Sequence, residues 1–74
     1  MPKLYSDREV LKTFQRAGFN IVSQKGSHIK LKGVNNGRIC IVIVPNHKQI
    51  ARGTFESILK QSNMSHTEFK SFYK

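Results

Sequence analysis

Acidic residues are scarce in this chain. Four Asp and Glu stand against thirteen Lys and Arg, a formal net charge of +9. Such an excess selects for anionic partners: nucleic acid, an acidic protein or an anionic membrane surface. The four acids are also poorly placed for metal chemistry. Asp7 and Glu9 fall near the start, Glu56 within a later helical pattern and Glu68 near the end. A hard cation such as Mg²⁺ needs carboxylate oxygens close to a reacting phosphate. None lies in or beside the basic stretch at residues 25–33, KGSHIKLKG. Metal-dependent nuclease chemistry is therefore disfavoured, and neither a metal nor a cofactor is expected.

Other absences narrow the field further. Cys40 is the single cysteine, so no internal disulfide can form and cytoplasm is the expected compartment. No apolar run is long enough to span a membrane. The leading MPKLYSDRE lacks the apolar stretch of a signal peptide. No Walker loop, dinucleotide fingerprint or Ser-His-Asp pattern is present. There is no internal repeat and no low-complexity segment. With 74 residues, a single domain over residues 1–74 is the expected organisation. A chain this short buries only about 60% of its unfolded surface, so the core must be small.

What is present reads as alternating short elements. SDREVLKTFQRAG is a helix: Ser6 with Glu9 makes a capping-box pattern, Val10, Leu11, Phe14 and Ala17 form an apolar stripe, and Gly18 suits the stop. FNIVSQ is a first strand and KGS a turn. HIKLK is a second strand, GVNNG a hairpin loop, and RICIVIV a third strand ended by Pro45. That third strand is the most apolar run in the chain and is expected to be central or well covered; Ile39, Ile41 and Ile43 share one of its faces, and Cys40 and Val42 the other. NHKQIARG connects to a second helix, TFESILKQS, capped by Thr54 with Phe55, Ile58 and Leu59 inward. Ser65 and Glu68 repeat the capping box before a short last helix with Phe69, Phe72 and Tyr73 on its apolar side. The fold class is α+β in the order α-β-β-β-α with a small extra helix. Double-stranded RNA-binding domains use this order: a three-stranded antiparallel sheet with helices on one face and the other face open to a ligand.

The chemistry concentrates in KGSHIKLKG. A strand turns alternate side chains to opposite faces, so His28, Lys30 and Lys32 share one face and Ile29 and Leu31 the other. An ordinary histidine titrates near pH 6.5 and can take or give a proton close to neutrality. Gly26 lets backbone N–H groups approach an anion, Ser27 can donate to a phosphate oxygen, and Lys25 adds charge. The same lysines would equally serve to keep an exposed strand soluble. His47, in the loop after Pro45, is a candidate second acid–base group or phosphate contact, or a residue that orients its loop. His66 sits in SHTE with nothing gathered around it and reads as solvated surface. Cys40 lies in an apolar strand, where a buried, inert thiol is expected.

Two longer segments, GFNIVSQKGSHIKLKG and VIVPNHKQIARGTFESILKQSNMS, resemble the HicA family of bacterial toxin ribonucleases. The marks are Gly26-Ser27-His28, Pro45-x-His47, and the Gly53-Thr54 step into a helix that ends Ile58-Leu59-Lys60-Gln61. The resemblance runs from about residue 14 to 69. It implies a fold similar to double-stranded RNA-binding domains, cleavage of mRNA that arrests translation and growth, and a catalytic histidine at His28. It also implies a HicB-like antitoxin partner that covers the toxin, so the chain would be a monomer alone and part of a hetero-oligomer with its antitoxin.

On that expectation His28 is general base to a ribose 2′-hydroxyl. Lys30, with Lys25 or Lys32, stabilises the phosphorane-like charge, and Ser27 and the Gly26 backbone hold the phosphate. The Phe and Tyr residues mostly fall on apolar helix stripes, which points to core rather than base stacking. Two rival expectations stand beside it. One is a non-catalytic RNA-binding module of the same fold. The other is a basic subunit that binds only an acidic protein.

Overall fold

The computed structural model describes residues 4–73. The elements are α1 (Asp7–Arg16), β1 (Asn20–Lys25), β2 (His28–Asn35), β3 (Arg38–Pro45), α2 (Arg52–Ser62) and α3 (His66–Phe72). The strands form one antiparallel sheet in the order β1-β2-β3. The arrangement is that of the double-stranded RNA-binding domain: α-β-β-β-α, with helices over one sheet face and a short helix added at the C-terminus. Among the described residues no helix is long and apolar enough to cross a membrane.

Local chemistry starts two of the three helices. Ser6 Oγ accepts from the Glu9 N–H at 3.1 Å, and Glu9 Oε1 accepts from the Ser6 N–H at 2.9 Å. Ser65 and Glu68 repeat the reciprocal pair at the start of α3. Each box satisfies amides that a helix N-terminus otherwise leaves bare, which stabilises by about 1 kcal/mol per cap. α2 differs from expectation. It begins at Arg52 rather than Thr54, and its N-cap, Ala51, offers no side-chain bond. Packing sets that start: Phe55 is buried at the first turn and its N–H donates to Ala51 C=O at 2.8 Å. Asn63, in the left-handed conformation at φ 55°, closes the helix.

Alternation puts Ile29 and Leu31 of β2 and Cys40, Val42 and Val44 of β3 on the helix-facing side. There they meet Val10 and Phe14 of α1, Ile58 and Leu59 of α2, and Phe69 of α3 in one core cluster. The aromatic rings belong to this cluster or pack against it. Phe69 sits among Phe14, Phe55 and Tyr5 with ring centroids 5.8, 4.9 and 5.1 Å away. Edge-to-face pairs of this kind add about 0.5–1.5 kcal/mol each beyond area burial. The Tyr73 hydroxyl donates to the Glu9 carboxylate, tying the chain's last described residue to α1.

The second hairpin also departs from expectation. β2 runs on through Gly33, Val34 and Asn35, and the loop shrinks to Asn36–Gly37. Both turn residues have positive φ, 53° and 75°, as a type I′ turn requires. Gly33 belongs in the strand for a tertiary reason: a Cβ there would lie 2.5 Å from Phe19 Cγ. The buried Phe19 ring occupies the space that a side chain would need.

Candidate functional site

β2 carries His28, Lys30 and Lys32 on the open face, all exposed. Two residues of strand separate each from the next, about 7 Å. Cross-strand register fixes their neighbours. Lys25 of β1 pairs with His28, Ser23 with Lys30 and Asn20 with Lys32; on the other side Pro45, Ile43 and Ile41 of β3 pair with the same three. Lys25 and His28 are therefore the closing pair of the first hairpin, and Gly26–Ser27 is its two-residue turn. Only Gly26 of the two has positive φ, 56°, the sign that primed hairpin turns need at their first central position. A Cβ on Gly26 would meet nothing within 4 Å. The glycine serves backbone conformation there and leaves an open approach to the turn.

The loop after β3 is stitched to this turn. Asn46 N–H donates to Ser27 C=O at 2.6 Å. His47 C=O in turn accepts from the Asp7 N–H at 3.1 Å, and Ile50 N–H donates to Tyr5 C=O at 2.7 Å. The loop is thus held between the first hairpin turn and the start of α1. His47, exposed, stands two residues beyond Pro45, the partner of His28. The structure brings Lys25, Gly26, Ser27, His28, Lys30 and the His47 backbone to one end of the sheet. Lys32 lies farther along the same face.

Electrostatically this end is mostly basic, with Asp7 the acid whose backbone meets the His47 loop. Among the described residues no side chain of Lys25, His28, Lys30, Lys32 or His47 has a hydrogen bond or ion pair to another protein group. Each acid has a partner of its own. Asp7 accepts from the Arg8 N–H at 2.8 Å, Glu9 and Glu68 complete the capping boxes, and Glu56 pairs with His66 at 2.7 Å. No three His, Cys, Asp or Glu side chains converge to hold a metal ion among the described residues. Cys40 is buried on the helix-facing side.

His66 is less isolated than its sequence context implies. It pairs with Glu56 and its ring lies 5.7 Å from Phe55, at the rim of a cleft of about 460 Å³ that Tyr5, Arg52 and Lys70 also line. Ten residues separate His66 from Glu56, so no local pattern announces the pair. None of the residues around His28 lines this cleft. The basic group sits on an exposed sheet face, suited to an extended polymer rather than to an enclosed small molecule.

The expectation of a central or well-covered third strand is not met: β3 is an edge of the sheet. The structure leaves Val34, Ile39 and Ile41 on the open face, 62%, 69% and 47% exposed.

The model of one protein family, described as the HicA toxin of bacterial toxin-antitoxin, matches residues 8–64. No curated protein and no solved structure gives a significant match.

Proposed function

Because the chain belongs to the HicA toxin family, we propose that it is the RNA-cleaving toxin of a toxin–antitoxin pair, acting through His28 without a metal ion. Cleavage of mRNA arrests growth, and a HicB-type antitoxin holds the toxin silent in the cytoplasm. The observation that carries this reading is the composition of one sheet end: an exposed imidazole paired across the hairpin with Lys25, next to Lys30, none of the three in an ion pair among the described residues.

His28 takes the proton of a ribose 2′-hydroxyl. The freed oxygen attacks the adjacent phosphorus, and the 5′-oxygen of the next nucleotide leaves. His47, on the loop bonded to the Ser27 carbonyl, returns a proton to that leaving oxygen. Lys30 and Lys25 stabilise the negative charge that gathers on the equatorial phosphate oxygens, with Lys32 extending the track. Ser27 and the Gly26 backbone position the phosphate. The bond formed is 2′-O–P and the bond broken is P–O5′, so the products are a 2′,3′-cyclic phosphate and a 5′-hydroxyl end.

The test is RNA cleavage by the wild type and by His28→Ala in the presence of a chelator, with an all-deoxy strand as control. The expected result is chelator-resistant cutting of RNA alone, lost in the variant while RNA binding and folding persist. Cutting of the deoxy strand, or undiminished cutting by the variant, would refute the mechanism. A domain that binds RNA but never cuts it would leave the binding-module alternative.

A further inference from the structure

The two edges of the sheet are built to different rules. β1 has an irregularity between Ile21 and Ser23 where its register with β2 shifts, carries Asn20, Ser23 and Gln24, and ends on Lys25. Bulges and lysines are devices that stop an edge from pairing with a second chain. β3 has neither. It pairs with β2 in unbroken register from Arg38 to Pro45, and between those ends every residue is apolar.

The outer rim of β3 is partly unoccupied. Ile43 N–H points outward and donates to Gln61 Oε1 of α2 at 2.8 Å. An antiparallel ladder turns alternate residues the same way, so the amides of Ile41 and Ile39 point outward too. Among the described residues no side chain meets them. On the open face the same strand presents Ile39 and Ile41, and Val34 is the cross-strand partner of Ile39. Exposed aliphatic side chains and outward backbone groups therefore lie along one edge. The lysine column, Lys30 and Lys32, runs one strand away.

Three occupants can be weighed by chemistry. RNA gains nothing from aliphatic side chains and needs the lysines, not the rim. A second copy of this chain would bring +9 against +9, with both lysine columns beside the seam. An edge strand from an acidic protein satisfies all the features together. Its backbone bonds to the outward amides, its apolar side chains cover Val34, Ile39 and Ile41, and its carboxylates reach Lys30 and Lys32.

We propose that the outer edge of β3 is the docking site for a β-strand of the acidic antitoxin, which thereby extends the sheet and shields the face bearing His28. This inference rests on the toxin–antitoxin reading, because it names the partner of that reading.

The test measures amide hydrogen exchange of the full chain with and without a HicB-type antitoxin from its own host, alongside the double variant Ile39→Lys, Ile41→Lys. Both substitutions sit on the exposed face, outside the catalytic group. The expected result is at least tenfold slower exchange at the Ile39 and Ile41 amides in the complex. The double variant should bind the antitoxin at least 100-fold more weakly while cutting RNA no more slowly than the wild type. Neutralisation with those amides unprotected, and a variant still silenced, overturns the docking site and leaves the toxin reading intact. Failure of the antitoxin to bind the wild-type chain overturns both. Protection by RNA alone, or protection that grows with chain concentration without antitoxin, assigns the edge to another occupant and overturns the proposal. The exchange measurement on the wild-type chain decides even if the variant does not fold.

Discussion

Gly26–Ser27 and Asn36–Gly37 are both two-residue turns, one at each end of β2, yet they are held very differently. At the second turn, Asn35 Nδ2 donates to the carbonyls of Ser62 and Asn63 at 3.1 and 2.9 Å, and Asn36 Nδ2 to Asn63 C=O at 3.4 Å. These bonds fasten the hairpin to the C-terminal carbonyls of α2, groups that a helix leaves unsatisfied on its own. At the first turn, among the described residues, one backbone bond crosses, from Asn46 N–H to Ser27 C=O. The stretch from Lys25 to His28 is exposed throughout. One end of the sheet is fastened to the helical layer, and the other presents side chains to solvent. A group that must meet a polymer belongs at the second kind of end, where few buried contacts are at stake.

The sharpest way to break that comparison is at the open end. His28→Ala should lower RNA cleavage by about 10²- to 10⁴-fold, the span of a positioned acid–base group. Thermal unfolding should barely change, because the side chain removed is exposed and unpartnered among the described residues. A variant that lost cleavage and melted early would assign His28 a structural role instead.

The next effect belongs to the middle of β2. Gly33→Ala would place a Cβ 2.5 Å from Phe19 Cγ and 2.7 Å from both Cδ atoms. Phe19 is fully enclosed and packs against Phe14 at 5.1 Å, so the ring has little room to yield. Overpacking of this kind costs about 1–3 kcal/mol. Urea or thermal unfolding should report that loss, with RNA cleavage retained below the lowered midpoint. At the fastened end, Asn35→Ala removes two hydrogen bonds to the end of α2. Asn63 C=O keeps its bond from Asn36 Nδ2, so only Ser62 C=O loses its side-chain donor. The change should cost about 1 kcal/mol, read as a lower urea midpoint at unchanged slope.

These elements also differ in how far they can be read from the chain alone. The capping boxes at Ser6–Glu9 and Ser65–Glu68 need partners only three residues apart, so both are legible. The alternation in HIKLK likewise places His28, Lys30 and Lys32 on one exposed face. Gly33 was not legible as a strand residue, because glycine beside Asn-Asn-Gly reads as loop and the reason for it is the Phe19 ring fourteen positions earlier in the numbering. The start of α2 shows the same limit: Thr54 is the better cap by type, but burial of Phe55 begins the helix at Arg52. The bond that brings the His47 loop against the first turn joins Asn46 to Ser27, and the Gln61 cap on the β3 rim joins two elements eighteen residues apart. Spacing rules see one element at a time. Contacts made by the return of β3 and the packing of α2 lie beyond them.

The smallest effect separates two reasons for a glycine at the open turn. At φ 56° Gly26 has a conformation that other residues adopt at a cost of about 1 kcal/mol, and asparagine adopts more readily than alanine. No neighbouring atom lies within 4 Å of a Cβ placed there, so sterics inside the chain add nothing. Gly26→Ala should therefore lower stability by about 1 kcal/mol, and Gly26→Asn by clearly less. Cleavage sorts the two reasons. If the turn only needs its backbone shape, the asparagine variant recovers activity with stability. If the phosphate must approach the turn closely, as the mechanism requires, both variants lose cleavage several-fold whatever their stability. The second outcome is expected, read from initial cleavage rates well below either variant's melting temperature. Recovery by asparagine would remove Gly26 from the phosphate-holding group and leave Ser27 and the lysines to hold the RNA.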